Sequence, residues 1–533
     1  MNFFSFDPKD PVFPFDEWKL SFQVVTLENL YGLDPGQTTV TRDGRGWQLN
    51  CRGLSWAGRQ ERAGGSLQAL IRREPNGQIR ITINASAANK IRAIKILVRD
   101  LPPLDVLDLL DGSREVPPGG LIAVYPSAYD LVIPLWVSVV SDGTNIGLRA
   151  EDPSARAKRF AAYPERMGEL AGRYTLECSH EEDARHFDLK ISVPPWIIAR
   201  NVDVKDFRGE HLEFAERRLG LQPWEARTDM PAWARDVRLC ITLNGMHWSG
   251  FIFNDFARMV EIVRHVTSRI DGKHVLAYLP GWEGRYYWQY GDYRPDPRLG
   301  GDSGFKQLCA EARDRGVHLM PMVGGNVVNA WFPNYKNFGP SSLLKSGTGI
   351  VYDELQPDWD MSRSGDNGLM AWMNPGAPAW QDELVRQIRA LKDRFGFDAV
   401  FLDTVQHWRN DPDHNIREGL QQLVARLKQG NPDLMVAGED WWDGILNLFP
   451  IYLRSGWWRQ VPPWVERYAR LIAHLCEGEA SRGSTGCHEL GQAPYERMPD
   501  SPLYIPTLQF VDGTLEKAKS EIDAVIAQAK SRR

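Results

Sequence analysis

The sequence predicts a multidomain protein of mixed β and α/β class, with an N-terminal antiparallel β-sandwich followed by a (β/α)8 TIM barrel. The chain of 533 residues has room for both, since one such barrel takes about 250 residues. Early in the chain, short alternating runs are separated by turn residues, and later strand-like runs alternate with amphipathic helices. We therefore predict a sandwich at residues 1–210, a helical linker at 211–235 and a barrel at 236–533.

The sandwich is predicted from hairpins and further short strands. Asp43-Gly44 divides residues 39–50 into two runs, and Glu74-Pro75-Asn76-Gly77 divides 66–73 from 78–83. Further strands are predicted at 119–125, 131–141, 173–178 and 187–193. No polar cluster in this region resembles a catalytic set, so we expect it to pack against a second domain or shape its rim.

The barrel is predicted from strands that alternate with helices. Strand-like runs occur at 237–244, 274–279, 317–323, 399–403, 434–438, 471–476 and 504–510. Amphipathic helices are predicted at 256–269, 304–315, 379–395, 416–428 and from 514 onward. No glycine-rich phosphate loop follows any of these strands, which argues against a dinucleotide-binding domain and against nucleoside triphosphate chemistry.

Charge and cysteine content narrow the class of protein. Lys and Arg total 63 against 69 Asp and Glu, for a net charge of −6, which disfavours nucleic acid or an anionic membrane as a partner. The N-terminus lacks the pattern of a signal peptide, and the longest apolar run, 131–140, is too short to span a bilayer. The six cysteines show no CxxC pair, and no HExxH occurs. These features predict a cytoplasmic protein without metal or cofactor.

Tryptophan is unusually abundant. The chain has 20 Trp against 16 Tyr, although Trp is too large to be a routine core residue. Some, such as Trp47, Trp56 and Trp136, fall in the sandwich and are expected to be core residues. Ten others follow predicted barrel strands: Trp248, Trp282, Trp288, Trp331, Trp359, Trp372, Trp408, Trp441, Trp442 and Trp457. Barrel enzymes bind substrates at those strand ends, so part of the surplus predicts a stacking surface.

Two carboxylates end consecutive predicted strands. Asp403 closes the run 397–403, and Glu439 follows 434–438 with one helix between them. Neighbouring parallel strands lie about 4.8 Å apart, and retaining glycosidases hold two carboxyl groups about 5–5.5 Å apart. We interpret the pair as nucleophile and acid/base, with Asp440 as a rival to Glu439. The alternative is that such acids cap the following helices.

Polar and aromatic residues near the strand ends form the predicted binding set. Sugar rings stack on Trp and Tyr, while their hydroxyl groups need polar partners. The candidates are Trp282, Tyr287, Trp288, Asn326, Asp360, Asn374, His407, Trp441 and Trp442. Such aromatic loops also pack against neighbouring domains, and His407 is expected to donate hydrogen bonds rather than act as a base. Glu477, Glu479 or Glu489, after the sixth predicted strand, could supply a different acid.

At these motifs the chain resembles retaining glycoside hydrolases of the α-glycosidase type. FLDT at 401–404 matches the fourth-strand nucleophile shared by the α-galactosidase and α-glucosidase clan, the endo-α-N-acetylgalactosaminidases and, more distantly, the α-amylases. GED at 438–440 matches the fifth-strand acid/base of the endo-acetylgalactosaminidases and amylases. The resemblance implies Asp403 as nucleophile and Glu439 as acid/base. The α-galactosidase clan places its acid/base after the sixth strand, so the chain departs from that clan.

The sequence thus predicts a glycosidase that cleaves an α-glycosidic bond of an oligosaccharide or other glycoside by double displacement. A sugar-binding protein on an inactive glycosidase scaffold and an inverting glycosidase remain alternatives. A metal-dependent hydrolase or isomerase is disfavoured because no His-x-His follows the first barrel strand.

Overall fold

The structure is a computed structural model that describes residues 10–44, 46–108, 112–128, 130–141, 143–247, 250–285, 288–351, 370–454, 461–473, 501–511 and 513–532. The chain divides into two compact units. The first comprises Met1–Leu221, Trp442–Gly444 and Gln460–Pro462, and the second comprises Gln222–Trp441, Ile445–Arg459 and Pro463–Arg533.

The first unit is a large antiparallel β structure built around one long strand. Its strands are β1 (Phe13–Phe15), β2 (Trp18–Thr26), β3 (Leu30–Leu33), β4 (Thr38–Asp43), β5 (Gly46–Cys51), β6 (Leu54–Trp56), β7 (Glu61–Ala63), β8 (Gly65–Arg73), β9 (Ile79–Leu101), β10 (Leu104–Asp108), β11 (Gly112–Glu115), β12 (Leu121–Tyr125), β13 (Leu135–Val140), β14 (Asn145–Ala150), β15 (Lys158–Pro164), β16 (Tyr174–Glu181) and β17 (Asp188–Arg200). Strand β9 pairs antiparallel with β2, β8, β16 and β17. From Ile79 to Ala87 its buried residues alternate with more exposed ones, which is the period-2 pattern of a strand with one face in a core.

Both predicted hairpins are present. Strands β4 and β5 pair across Asp43 and Gly46, and β8 pairs with β9 from Gly65 to Arg73. Helix α1 (Val204–Arg218) follows the strands and begins at Asp203, whose side chain accepts from the backbone N–H groups of Lys205 and Asp206. The helix lies within the first unit, whereas the sequence placed residues from 211 onward in a linker.

The second unit contains the predicted parallel strands. Its strands are β18 (Leu239–Leu243), β19 (Val275–Leu279), β20 (His318–Gly324), β21 (Val327–Asn329), β22 (Met370–Trp372), β23 (Ala399–Asp403), β24 (Met435–Glu439), β25 (Ile451–Arg454), β26 (Arg470–Ala473) and β27 (Thr507–Phe510). Its helices are α2 (Phe256–Thr267), α3 (Gly301–Asp314), α4 (Tyr335–Phe338), α5 (Pro378–Phe395), α6 (Ile416–Lys428), α7 (Thr514–Lys517) and α8 (Lys519–Ser531).

Eight of these strands form a barrel-like sheet. Their order is β26, β25, β24, β23, β20, β19, β18, β27, and all of these neighbours pair in parallel. The two edges approach each other through a parallel bridge between Leu471 and Tyr504 and a 3.1 Å hydrogen bond from Ala473 N to Thr507 Oγ1. The predicted mixed fold class, with a sheet domain and a barrel, is confirmed.

The sequence did not predict one of the barrel strands. Strand β25 has four residues and directly follows Pro450, so it gave too short an apolar run to be recognised. The run predicted at 471–476 is therefore the seventh barrel strand rather than the sixth. Helices with a clear apolar stripe were predicted closely, and α6 has the predicted bounds because Asn415 caps its first turn.

The barrel interior explains why its strands read as continuous apolar runs. Every residue of β18, β19, β23 and β24 is buried, as expected for parallel strands covered on both faces. Inside the barrel, the rings of Tyr278 and Phe401 pack with centroids 4.9 Å apart. Within the described ranges, no helix is both long and apolar enough to cross a bilayer.

Candidate active site

Asp403 and Glu439 lie side by side at the carboxyl-terminal ends of β23 and β24. The parallel register pairs Leu402 with Gly438, which sets the two acids next to each other across neighbouring strands. The two carboxyl groups lie within hydrogen-bonding reach of each other, which opposes the rise in the pKa of Asp403. Both residues are 7% exposed, so the pair is largely shielded from solvent.

The backbone turns sharply after each of these acids. Thr404 has φ 66° and Asp440 has φ 44°, both in the left-handed region. This conformation is uncommon for any residue with a side chain and is a genuine outlier for a β-branched one. The turn at Thr404 points its backbone N–H at Glu439 Oε2, 3.0 Å away. Local strain of this kind concentrates at functional sites, where the surroundings hold it in place.

Two further side chains fix the orientation of the pair. Tyr290 donates its phenolic hydrogen to Asp403 Oδ2 at 2.6 Å, and Gln406 Nε2 donates to Glu439 Oε2 at 2.9 Å. Each carboxyl group is thus held from one side by a buried polar side chain and from the other by its partner acid.

The surroundings separate the protonation states of the two acids. Burial raises the pKa of Asp403 to about 6, although hydrogen bonds from Tyr290 and Glu439 oppose the rise. Burial raises the pKa of Glu439 well above its ordinary value, and the negative charges of Asp403 and Asp440 add to that rise. When the pair loses its first proton, Asp403 therefore becomes the carboxylate and Glu439 keeps its proton.

The geometry favours Glu439 over Asp440 as the partner of Asp403. The Glu439 side chain interacts with that of Asp403, whereas Asp440 follows Glu439 on the left-handed turn. Asp440 is buried, and its backbone N–H donates to Leu453 O at 3.0 Å. Its charge contributes to the raised pKa of Glu439. The roles of all three residues stay predictions.

Trp282 has no surface that a sugar could touch in this structure. It is 0% exposed and stacks on Phe305 with ring centroids 5.0 Å apart. Its Nε1 donates to Met322 O at 2.8 Å. The residue therefore packs between the barrel wall and helix α3, and we leave it out of the proposed binding surface.

Trp288 is half-buried and lies beside two other side chains of the strand-end loops. Its ring meets Trp331 edge-on with centroids 5.6 Å apart, and the Arg285 guanidinium lies 4.4 Å from its ring centre. Part of its surface therefore stays accessible to a ligand.

The two predicted asparagines differ in what their side chains do. Asn326 Nδ2 donates to Thr404 O at 3.2 Å, and its buried Oδ1 has no hydrogen-bond partner. Asn374 is fully buried, donates to His414 O and accepts from Gly376 N. Asn326 thus lies against the residue that follows Asp403, whereas Asn374 holds the turn before helix α5.

The remaining predicted side chains are mainly packed. His407 lies against Trp372 with ring centroids 4.2 Å apart, and burial lowers its pKa to about 4, so it is neutral at pH 7. Trp441 is 6% exposed and packs edge-on against Tyr452. Trp442, in the first unit, is 0% exposed and packs edge-on against Tyr125. Of these three, Trp442 has no surface left for a ligand.

Some predicted residues lie outside the described part of the chain. These are the binding candidates Tyr287 and Asp360, the rival acids Glu477, Glu479 and Glu489, and Trp248, Trp359 and Trp457.

The binding set inferred from the sequence omitted three polar residues at the site. Tyr290 and Gln406 hold the two acids, and Glu283 is a third carboxyl group nearby. Glu283 is 1% exposed, and neither of its oxygens has a hydrogen-bond partner. Burial raises its pKa well above the ordinary value, and the charge of Asp403 adds to the rise. Its position in the aromatic segment 280–301 was the only available signal.

Nothing in the described part of the chain groups three or more His, Cys, Asp or Glu residues as a metal site would. The chemistry that these residues can support is proton transfer and nucleophilic attack by carboxyl groups.

The combination of a sheet unit and a barrel also occurs in solved structures of α-glycosidases. Two solved structures with this fold are an α-N-acetylgalactosaminidase of Bifidobacterium bifidum in a Gal-NHAc-DNJ complex and an α-galactosidase of Geobacillus stearothermophilus in complex with raffinose. The first has a TM-score of 0.64 and 13% identity, covering 96% of this chain and 89% of that one. The second has a TM-score of 0.52 and 12% identity, covering 96% and 74%.

An α-galactosidase of Lactobacillus brevis is also similar, with a TM-score of 0.51, 13% identity, and coverage of 97% and 70%. No protein-family model and no curated protein matches the chain. At identities this low the likeness establishes the fold.

Proposed function

We propose that the protein is a retaining α-glycosidase in which Asp403 is the nucleophile and Glu439 is the acid/base. The observation that carries the proposal is the pair of buried carboxyl groups at neighbouring strand ends whose pKa values are raised to different extents. A glycosidase needs one carboxylate and one carboxylic acid at the same pH, and this pair provides both.

In the first step, an oxygen of Asp403 attacks the anomeric carbon of the bound sugar. The bond from that carbon to the leaving oxygen breaks as Glu439 transfers its proton to that oxygen. The products are a glycosyl ester on Asp403, a free leaving alcohol and an ionised Glu439. Tyr290 helps to keep Asp403 in the orientation for attack through its hydrogen bond.

In the second step, water attacks the anomeric carbon of the ester. Glu439 accepts a proton from the water, the bond to Asp403 breaks, and Asp403 leaves as a carboxylate. The hydrogen bonds from Thr404 N and Gln406 Nε2 stabilise Glu439 in the ionised state that it holds between the two steps. The sugar leaves with its original anomeric configuration, and both acids regain their starting charges.

The contact between the acids supports retention over inversion. Inverting glycosidases keep their carboxyl groups about 6.5–9.5 Å apart so that a water molecule fits beside the sugar. Carboxyl groups within hydrogen-bonding reach of each other are nearer to the spacing of about 5–5.5 Å in retaining glycosidases than to this range. The inverting alternative would need the site to open by several ångströms.

The substrates to test first are α-glycosides of galactose and of N-acetylgalactosamine. The similar solved structures are enzymes named for these two sugars. Aryl glycosides of both sugars, in both anomeric configurations, would identify the sugar and the linkage preference.

The test compares Asp403→Asn, Glu439→Gln and the matched control Asp398→Asn. Asp398 precedes the opposite end of β23, and its side chain is 41% exposed. We expect Asp403→Asn to reduce hydrolysis of every substrate at least about a thousandfold. Glu439→Gln should lose most activity on poor leaving groups and much less on an α-glycosyl fluoride, which needs no proton.

Equal, full activity of Asp403→Asn and Glu439→Gln would contradict the proposal. If the wild-type chain binds saccharides and hydrolyses none of them, the sugar-binding alternative is correct.

A further inference from the structure

An exposed tryptophan lies close to the carboxyl pair in the fold. Trp331 is 60% exposed, whereas Trp282 and Trp442 are fully buried. It meets Trp288 edge-on, and the Arg285 guanidinium lies over the Trp288 ring, 4.4 Å from the ring centre. Arg285, Trp288 and Trp331 are called the aromatic platform below. Large exposed aromatic groups of this kind commonly mark binding surfaces.

Hydrogen bonds connect the platform to the nucleophile through Asn329. The Asn329 side chain donates to Trp288 O at 3.0 Å and accepts from Trp331 N at 3.0 Å. Its backbone N–H donates to Tyr290 O at 2.9 Å. Tyr290 in turn donates to Asp403, so one buried asparagine fixes both tryptophan backbones next to the residue that holds the nucleophile.

Strand pairing and close packing hold the backbone that carries the rings of Trp288 and Trp331. Asn329 ends β21, which pairs antiparallel with β22 from Val327 to Asn329. Strand β21 also packs tightly on the loop that carries Trp288. Gly291 of that loop lies so close to β21 that an added Cβ would come within 2.5 Å of Val328 Cγ1. A ligand that stacks on the platform would therefore meet rings whose backbone is already in place, which lowers the entropic cost of binding.

Burial distinguishes the sugar that is cleaved from the group that leaves. Asp403 and Glu439 are each 7% exposed, so the sugar under attack must enter the enclosed part of the site. Trp331 is far more exposed, on the solvent side of the same loops. The leaving group, which points away from the enclosed sugar, is the part of a substrate that this surface can reach.

We propose that the aromatic platform binds the leaving group of the substrate, and that this leaving group is itself a saccharide. This inference rests on the proposed function and adds the substrate class. The apolar C–H face of a pyranose ring would stack on the exposed Trp331 ring, with Trp288 edge-on beside it, and the Arg285 guanidinium would donate to its hydroxyl groups. The substrate is then an oligosaccharide rather than a simple alkyl glycoside.

The experiment measures kcat/KM of Trp331→Ala on an α-linked disaccharide and on the α-glycosyl fluoride of the same sugar. The fluoride has no leaving sugar. The ratio of kcat/KM on the disaccharide to kcat/KM on the fluoride therefore measures the contribution of the platform to binding the leaving sugar. We expect this ratio to fall about tenfold, mainly through KM of the disaccharide, and to be partly restored in Trp331→Phe. Trp56→Ala is the matched control, since Trp56, which the sequence predicts to be a core residue, is instead 40% exposed in β6 of the first unit.

The ratio should stay at the wild-type value in Trp56→Ala. If both substrates are hydrolysed and Trp331→Ala keeps the wild-type ratio, the platform proposal is wrong and the proposed function stands. If neither substrate is hydrolysed by the wild-type chain, the proposed function fails. Calorimetric titration with the disaccharide then decides the platform: weaker binding by Trp331→Ala supports it, and equal binding overturns it.

Discussion

At the scale of single residues, burial raises the pKa values of two acids at matching strand ends, and their neighbours modify each rise differently. Tyr290 donates a hydrogen bond to Asp403, which favours its carboxylate form. Glu439 faces the charges of Asp403 and Asp440, which favour its protonated form. The proposed division of labour between nucleophile and acid therefore follows from the contacts of each side chain.

The pH dependence of hydrolysis should follow these two ionisations. Asp403 must be ionised, so we expect kcat/KM to rise with pH through about 6. Glu439 must be protonated, and its raised pKa puts the falling limb on the alkaline side of that rise. Tyr290→Phe removes a hydrogen bond that lowers the pKa of Asp403, so the rising limb should move to higher pH.

The matched control for this shift is Tyr293→Phe. The Tyr293 hydroxyl donates to Gly324 O at 3.2 Å and accepts from Gly324 N at 2.9 Å. It belongs to the same loop as Tyr290, and its change should leave the position of the rising limb in place. A limb that moves equally in both variants, or in neither, would contradict the role given to Tyr290.

At the scale of elements, the loops after β18 and β19 are packed backbone against backbone. Gly281 has φ +66°, and a Cβ there would come within 2.2 Å of Met246 O. Hydrogen bonds from Gly245 N to Pro280 O and from Met246 N to Gly281 O join the loops. This contact between the loops fixes the backbone at the start of the segment 280–301, which carries Tyr290.

Gly281→Ala should therefore displace that segment. We expect kcat/KM to fall at least about tenfold and the free energy of unfolding to drop by more than about 1 kcal/mol, measured by activity assay and urea unfolding. Gly430→Ala is the control, because Gly430 has φ +82° and nothing within 4 Å of an added Cβ. Gly430→Ala places a side chain at a positive φ, as Gly281→Ala does, but without a steric clash. A similar loss of activity in Gly430→Ala would contradict the role given to the contact at Gly281.

The elements that the sequence predicted well are those whose signal is local. Helix α6 has a capping Asn415 and an apolar stripe, and β23 is a buried run that ends in an acid. Strand β25 was missed because four residues after a proline carry no usable period. The acids Asp403 and Glu439 could be paired from the sequence because strand ends in a parallel barrel meet at one edge.

Burial of individual aromatic residues could not be predicted in this way. Trp282 and Trp288 lie in one segment, yet Trp282 stacks on Phe305 in the core and Trp288 keeps part of its surface. Glu283, between them, is 1% exposed although it is a carboxylic acid. Such differences arise from tertiary packing, which no local pattern encodes.

At the scale of the whole molecule, the fold and the site are two independent observations behind the proposed glycosidase activity. The sheet unit and the barrel have the fold of α-N-acetylgalactosaminidase and α-galactosidase structures at 12–13% identity. The carboxyl pair lies at the strand ends where barrel enzymes act. Among the described tryptophans of the second unit, Trp282 is packed in the core and Trp331 is exposed beside Trp288.

The most direct test of the central claim is the anomer that is released first. Hydrolysis of an aryl α-galactoside or α-N-acetylgalactosaminide would be followed by proton NMR before the free sugar mutarotates. Double displacement through Asp403 predicts that the α-anomer appears first and the β-anomer only later. Initial release of the β-anomer would contradict the account.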